Sequence, residues 1–455
     1  MTPLESLHWK HKPIPELLRL AWPTAISMLS FSVQTLVDTL FVGRLGAREL
    51  GAVSLGGVVA FTLICFGFGL LRSTKVVVSH AVGAGDGDRV GEIARAGAWL
   101  AVGLGLLTVT LGRWVVTHVP SLGPDAASGA LAAHYVSIRN LGAVTFLVAC
   151  ALREALYGTG NARIPLRAAL AANATNVGLD ALLIFGFDLG VAGAAWATVG
   201  ATVVECVVLL AALPNARALL APPRGREVAE LLRLGAPLGA QFVLEVGSFA
   251  VMVALLARTG DAQLAAHQIA LQLTHFSFLP ALAVGEAASI LAGQAVGGRK
   301  YALVNTVSRG ALRVAWVYSG SCGVLFILGS RVIPAWFSAD AEVQEITTRL
   351  LWIAAAFQLT DAAHAVARSV LRGTGDVRFP AVLSVVTTWI VLPTSTWLLG
   401  IALGWGAVGA WLGLSFEIGM GAGLLWWRLA RGRWRLVALR QRREARRRTP
   451  SVAAA

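Results

Sequence analysis

Residues 20–43 read LAWPTAISMLSFSVQTLVDTLFVG. Only one ionisable side chain occurs in that run, Asp38. About 20 predominantly apolar residues are enough for a helix to cross the hydrocarbon core of a bilayer, so the run reads as a membrane span holding a single acid. The pattern returns along the chain. Apolar runs between polar breaks give twelve candidate spans, near residues 15–41, 51–78, 93–116, 130–152, 165–186, 191–213, 231–257, 262–292, 303–329, 343–370, 379–401 and 406–430. Composition agrees. Of 455 residues, 56% are hydrophobic and 14% charged, and mean hydropathy is +0.70. A soluble chain carries about 25% charged residues. Here there are too few polar side chains to cover a soluble surface, which excludes an ordinary cytosolic enzyme and any disordered or fibrous class. No connecting segment is long enough for a folded soluble domain. Glycine is abundant (49 residues), as expected where membrane helices approach closely.

The net charge is +14. A basic balance can signal nucleic acid, but the placement of these charges points to a membrane. With both termini on the cytoplasmic side, 31 of the 38 lysines and arginines fall in cytoplasmic stretches. That matches the positive-inside rule. The tail from Arg431, RGRWRLVALRQRREARRR, is expected along the anionic inner leaflet, with no nucleic-acid partner. The start is polar and basic and runs directly into the first apolar segment, so it reads as an uncleaved span. Cys65, Cys150, Cys206 and Cys322 all lie in apolar runs without metal-ligand spacing, and read as packing residues.

The two halves of the chain repeat. ELLRLAWP at Glu16–Pro23 returns as ELLRLGAP at Glu230–Pro237, and RLGARELGA from Arg44 returns as RTGDAQLAA from Arg258, both at an offset of 214. GTGNARIP from Gly158 returns as GTGDVRFP from Gly373 at 215, and GVAGAA from Gly190 as GAVGAW from Gly406 at 216. Matches in order at a nearly constant offset mark a duplicated six-span unit. Six is even, so the repeats are parallel. The expected organisation is a first lobe at residues 1–213 with spans 1–6, a cytoplasmic linker at 214–230, a second lobe at 231–430 with spans 7–12, and a basic tail at 431–455.

Two similar six-helix lobes are a plan for alternating access in a secondary transporter. No Walker A motif is present. The clusters GAGDG at Gly83–Gly87 and GTG lack the strand-then-helix setting that a phosphate cradle needs, and read as turns. The energy source is then an ion gradient or the substrate's own gradient, with no cofactor.

Ionisable groups inside spans are costly and mark ion or substrate paths. Asp38 lies late in span 1. Asn176 and Asp180 lie four apart in span 5, on one helical face. Thr198 lies on span 6. Two carboxylates, an amide and a hydroxyl are hard oxygen ligands. They could hold Na+ or share a proton, since close, buried carboxylates cannot all ionise. In the second lobe, Glu245 lies in span 7 and Asp361 in span 10. Glu205, Glu417, His267 and His364 are also inside spans, where satisfied packing is the readier explanation. Arg72, Lys75 and Arg153 are most simply snorkelling or lipid-facing anchors. Pro23 and Pro237 each remove a backbone hydrogen bond near a cytoplasmic end.

These residues together resemble the multidrug and toxic compound extrusion (MATE) family. Pro23, Asp38 and the Gly43–Gly46 turn resemble the family's first span. SHAVGAGDGDRV resembles its turn after span 2, LYGTGNARIP and LRGTGDVRFP resemble its paired turns, and AAHQIALQL resembles the start of its span 8. The resemblance runs over nearly the whole chain and implies an all-α, polytopic membrane protein of twelve transmembrane helices in two pseudo-symmetric six-helix lobes. It implies a proton- or sodium-driven antiporter, not an enzyme, that exports hydrophobic, often cationic, small molecules from a bacterial inner membrane as a monomer. The family's first-lobe cation site maps onto Asp38, Asn176, Asp180 and Thr198. Its second acidic site maps onto Glu245 and Asp361. Lys75, in RSTKVVVSHAVG, departs from the family's less basic pattern. The alternative is a lipid-linked precursor flippase of the same superfamily. A flippase would want a basic interior for phosphates, whereas the interior candidates here are mostly acidic.

Overall fold

The computed structural model describes residues 7–213 and 215–447. Expectations for Pro214 in the linker and for residues 448–455 of the tail lie outside the described residues. The helices are α1 (Pro13–Gly43), α2 (Ala47–Leu71), α3 (Ser73–Gly83), α4 (Gly87–Val116), α5 (Ala126–Leu141), α6 (Ala143–Gly158), α7 (Arg163–Asp180) and α8 (Gly190–Ala211). They continue as α9 (Gly225–Leu256), α10 (Asp261–Gly297), α11 (Tyr301–Gly329), α12 (Ile333–Phe337), α13 (Ala341–Gly373), α14 (Arg378–Ser395), α15 (Gly406–Ala430) and α16 (Trp434–Arg447).

Among the described residues, eleven helical segments are long and apolar enough to span a membrane, with α2 and α3 counting as one segment. The pair α5–α6, bent by 48°, brings the count to twelve. The sequence suggested one unbroken run there, at 130–152. The bend falls at Gly142, whose amide donates to the Arg139 carbonyl (3.1 Å) in place of the usual bond a full turn back. Beside it, Asn140 Nδ2 donates to the Val109 carbonyl of α4 (2.9 Å).

The backbone carries the duplication in its turns. Left-handed residues recur in pairs: Gly46 and Gly260 (φ 144° and 118°), Gly85 and Arg299 (76° and 61°), Gly160 and Gly375 (83° and 89°), Gly190 and Gly406 (53° and 55°). The GTG and GAGDG clusters are therefore turns. Asp188 and Gly404 form a further pair (55° and 71°). A π-helical stretch follows α7 at Ala181–Gly186, and another follows α14 at Thr396–Ala402. In each half the next helix closes back on that stretch. A Cβ on Gly193 would come within 2.8 Å of the Leu183 backbone, and one on Gly409 within 2.5 Å of the Leu399 backbone. Only glycine lets the two backbones approach so closely.

The chain forms two compact units. One holds mainly residues 23–82 and 86–243. Its core is a set of apolar clusters, among them Val42, Ile138, Ile184 and Val191 between α1, α5 and α8, and Leu71, Ala101 and Leu147 between α2, α4 and α6. The other unit holds mainly residues 7–22, 83–85 and 244–447. Its largest core cluster runs from Met252 and Leu256 through Ala266, Leu350 and Phe357 to Trp411 and Leu414. Here α10 and α13 are mostly buried. The run GEAASILAGQAVG at 285–297 supplies small side chains that let neighbouring helices close on it. At its end Gln294 Oε1 accepts from Trp9 Nε1 (2.8 Å). After α15, Trp434 is buried and packs on Tyr301 with ring centroids 6.1 Å apart.

Candidate functional site

In the first unit, α1 brings Asp38 to α7. The Asp38 and Asp180 carboxyls lie against each other within hydrogen-bonding reach. Asp180 is the last residue of α7, at the point where the helix widens into the π stretch. Such irregularities inside a helix often mark functional positions. Asn176, one turn back, and Asp180 are both fully buried. Both Asp180 oxygens, both Asn176 amide atoms and Asp38 Oδ1 are buried without a hydrogen-bonding partner from the protein. Leaving such groups unpaired is expensive, and two ionised carboxylates at this range repel. A shared proton or a bound cation resolves both problems.

Thr198 on α8 is half-buried and its hydroxyl donates to the Ala194 carbonyl (3.0 Å). It lies near the Tyr135 phenol of α5, which in turn lies in the field of Asp38, Asp180 and Arg139. The glycine contact at Gly193 sets α8 at this distance. All four residues expected for the first site thus converge on one region. The structure adds two that sequence reasoning left out. Tyr135 was not singled out, and Arg139 entered only the charge tally. They stand four apart on α5, and a tyrosine four before an arginine inside an apolar run was the available signal. Asn173, one turn before Asn176 on α7, also has both amide atoms buried and unpaired.

Among the described residues, no group of three or more His, Cys, Asp or Glu is placed to hold a metal ion. A sodium ion at the first site would rest on two carboxyls with the Asn176 and Thr198 oxygens. That donor set is hard and fits an alkali cation in type. It serves a shared proton equally.

The second unit holds an open cavity of about 240 Å³. Glu245 of α9, Asp361 of α13 and Glu417 of α15 all line it. Glu245 is paired with Arg368 of α13, Nη1 to Oε1 at 3.2 Å. Glu417 Oε1 accepts from Thr387 Oγ1 (2.5 Å) and Thr388 Oγ1 (3.2 Å) of α14. Asp361, His364 and Arg368 share one face of α13 at helical spacing. Phe249, Phe357 and Trp411 supply aromatic walls. Trp411 is held by His267 behind it, which accepts the indole N–H at Nδ1 (3.1 Å). His267 thus packs against Trp411, but its Nε2 is buried without a partner, so satisfied packing accounts for only one of its ring nitrogens; His364 lines the cavity.

Two lipid-anchor readings are corrected. Lys75 is 5% exposed, and its Nζ pairs with Glu154 Oε2 of α6 at 3.0 Å. Arg153 Nε pairs with Glu205 Oε1 of α8 at 3.3 Å, and its guanidinium lies 5.5 Å from the Phe31 ring centroid. In each case an acid on a neighbouring helix supplies the charge that makes burial tolerable. Glu205 accordingly serves a buried ion pair inside the unit.

An all-helical chain with this many spans, carrying paired acids and an acid-lined cavity inside its bundles, is a membrane transporter. A family model described as MatE matches residues 23–182 and again 237–397, so the two matches fall on the two repeats. The chain is 31% identical over 429 residues to the probable multidrug resistance protein NorM of Bradyrhizobium diazoefficiens, covering 90% of this chain and 91% of that protein. It is 31% identical over 411 residues to the protein of the same description from Deinococcus radiodurans, covering 88% and 91%. Among solved structures, an outward-facing multidrug resistance MATE family transporter of the MOP superfamily superposes with a TM-score of 0.85 at 21% identity, over 96% of this chain and 99% of that one. The eukaryotic MATE transporter AtDTX14 gives 0.86 at 18% identity, over 96% and 99%. The chain belongs to the MATE family of multi-pass membrane transporters.

Proposed function

We propose that the protein is a cation-coupled antiporter that exports hydrophobic, often cationic, small molecules across a bacterial inner membrane. It works by alternating access of its two halves, as a monomer with both termini cytoplasmic. Asp38 and Asp180, with Asn176 and Thr198, bind the coupling ion; Glu245 and Asp361 form a second acidic site that receives cationic cargo. The observation that carries this reading is the meeting of Asp38 and Asp180 among buried oxygens without protein donors. An uptake site for one small positive charge is the chemistry such a pair supports. The names of the curated relatives support multidrug export.

The coupling ion is a proton rather than sodium. Arg139 already puts a fixed positive charge in the field of Asp38. That charge opposes either ion, but a proton sits on the carboxyl oxygens and needs no space of its own, whereas a sodium ion must be held whole beside the guanidinium. Ion binding can shift the conformational equilibrium only by its difference in affinity for the two states. The site must therefore bind its proton with different affinity in the inward-open and outward-open forms.

The test is efflux from proteoliposomes with pH and sodium gradients imposed separately, across a panel of cationic dyes. The pH gradient alone should drive efflux. Asp38→Asn and Asp180→Asn should each abolish the ion-driven component while leaving the purified protein folded. Wild-type rates from both variants would remove the assignment.

A further inference from the structure

We propose that Arg368 is a tethered cation that competes with cationic cargo for Glu245 and so sets which cations the second-unit cavity accepts. This rests on the reading that the cargo is cationic.

The cavity carries three acids and one guanidinium. The guanidinium is committed: Arg368 Nη1 meets Glu245 Oε1 at 3.2 Å. Arg368 Nε is buried with no acceptor, so the head group is only partly satisfied where it stands. Side-chain exposures of 17% and 19% leave both partners within reach of the open cavity. The pair is thus neither sealed in a dry core nor free on the surface. An arginine in such a place can be displaced.

The three acids are not equivalent. Glu417 is engaged by the Thr387 and Thr388 hydroxyls, neutral donors that bring no opposing charge. Asp361 stands two turns before Arg368 on the same helical face, and both Arg368 and Glu417 act on it electrostatically. Glu245 alone is paired with a charge fixed to the protein. A guest cation against the aromatic walls must therefore take Glu245 from Arg368, or bind with that guanidinium beside it. The exposed ring of Phe249, with the mostly buried Phe357 and Trp411 completing the lining, favours a diffuse organic cation over a small hydrated one. Arg368 raises the threshold for both. Cargo that can push the guanidinium aside gains Glu245, and a weakly held metal ion does not. The residue thus filters guests by how strongly they compete.

The experiment uses the full-length protein in lipid nanodiscs, with tetraethylammonium as the probe because its charge cannot be titrated away. Arg368→Gln should bind tetraethylammonium at least about tenfold more tightly than wild type, and Arg368→Lys, which keeps the charge, should stay within about threefold of it. Glu245→Gln/Arg368→Gln should lose the gain. A second readout needs no variant: saturating tetraethylammonium should speed modification of Arg368 by phenylglyoxal in the wild-type protein, read by mass spectrometry. A pair that is only structural would show neither change. Unchanged affinity in Arg368→Gln together with unchanged labelling overturns the proposal, and the export reading then stands or falls separately on Asp38→Asn. If neither wild type nor Arg368→Gln binds tetraethylammonium and no quaternary ammonium is exported, the cationic-cargo reading falls and takes this proposal with it.

Discussion

Lys75 and Glu154 form an ion pair inside a helical bundle, Nζ to Oε2 at 3.0 Å, with side chains 6% and 10% exposed. One comes from the short helix α3 and the other from α6. A lysine so deep carries a large desolvation cost, and the nearby carboxylate offsets it. The pair therefore fixes how α3 meets α6 more than it adds net stability. Near it Gly158 closes on the Lys75 carbonyl, with room for no Cβ (2.9 Å).

Removing one partner should hurt more than removing both. Glu154→Gln leaves the buried ammonium without its acid and should destabilise the protein by on the order of 3 kcal/mol. Lys75→Met/Glu154→Gln should recover most of that loss. Thermal melting of the purified protein in detergent, followed by tryptophan fluorescence, measures both. A double variant no more stable than Glu154→Gln would show that the pair does not act as a unit.

Arg139 gives a prediction for ion choice. Its charge acts on Asp38, and its Nε is buried without an acceptor. Arg139→Gln removes the fixed cation and leaves the acids. A sodium gradient at equal pH, nearly inert toward the wild-type protein, should then drive efflux at least several-fold faster, while the pH-driven rate falls. Parallel dye-efflux assays in proteoliposomes decide it, and a variant still indifferent to sodium would break the link between Arg139 and ion choice.

The spans and the duplication were legible because both are written in one dimension. Apolar length shows as hydropathy, and the repeat shows as an offset near 214. Asp38, Asn176 and Asp180 stood out because ionisable and amide groups are rare in such runs. What faces them was not legible. Which side chains surround an acid depends on helix rotation about its axis, which hydropathy leaves open, so Tyr135, Arg139 and Arg368 passed unremarked. Lys75 and Arg153 were misread for the same reason, since Glu154 and Glu205 lie on other helices far along the chain. The repeat also hides a divergence. At its offset, Asp38 corresponds to Met252 and Asp180 to Ser395, so the carboxyl pair belongs to the first half alone.

Outside the spans, Asp125 caps α5, the helix that carries Tyr135 and Arg139. Its Oδ1 accepts from the Ser128 amide (2.8 Å) and its Oδ2 from the Ser128 hydroxyl (2.9 Å). These bonds hold its carboxyl below the usual carboxylate range. A depressed native value means the contribution is complete at neutral pH and is lost only as pH falls from the unfolded value of 3.8 through the native one. Asp125→Ala should therefore lower the melting temperature modestly and by the same amount at pH 7 and pH 5.5. Melting curves at the two pH values check this, and a difference that vanished at pH 5.5 would contradict it.

The last prediction concerns how Thr198 reaches the acids. A Cβ on Gly193 would lie 2.8 Å from the Leu183 carbonyl carbon and 3.0 Å from the Ile184 amide nitrogen. These are backbone atoms and cannot turn aside, so Gly193→Ala must push α8 away from the π stretch that follows Asp180. Overpacking of this kind costs about 1–3 kcal/mol. Thr198 lies five residues further along α8 and moves with it, away from Tyr135 and the carboxyls. Ion-driven efflux should therefore drop by roughly tenfold, beyond what the stability loss accounts for. Gly103→Ala on α4, where an added Cβ meets nothing within 4 Å, is the matched control and should leave both melting and efflux unchanged. Equal efflux from the two variants would mean that the spacing of α8 does not govern the site.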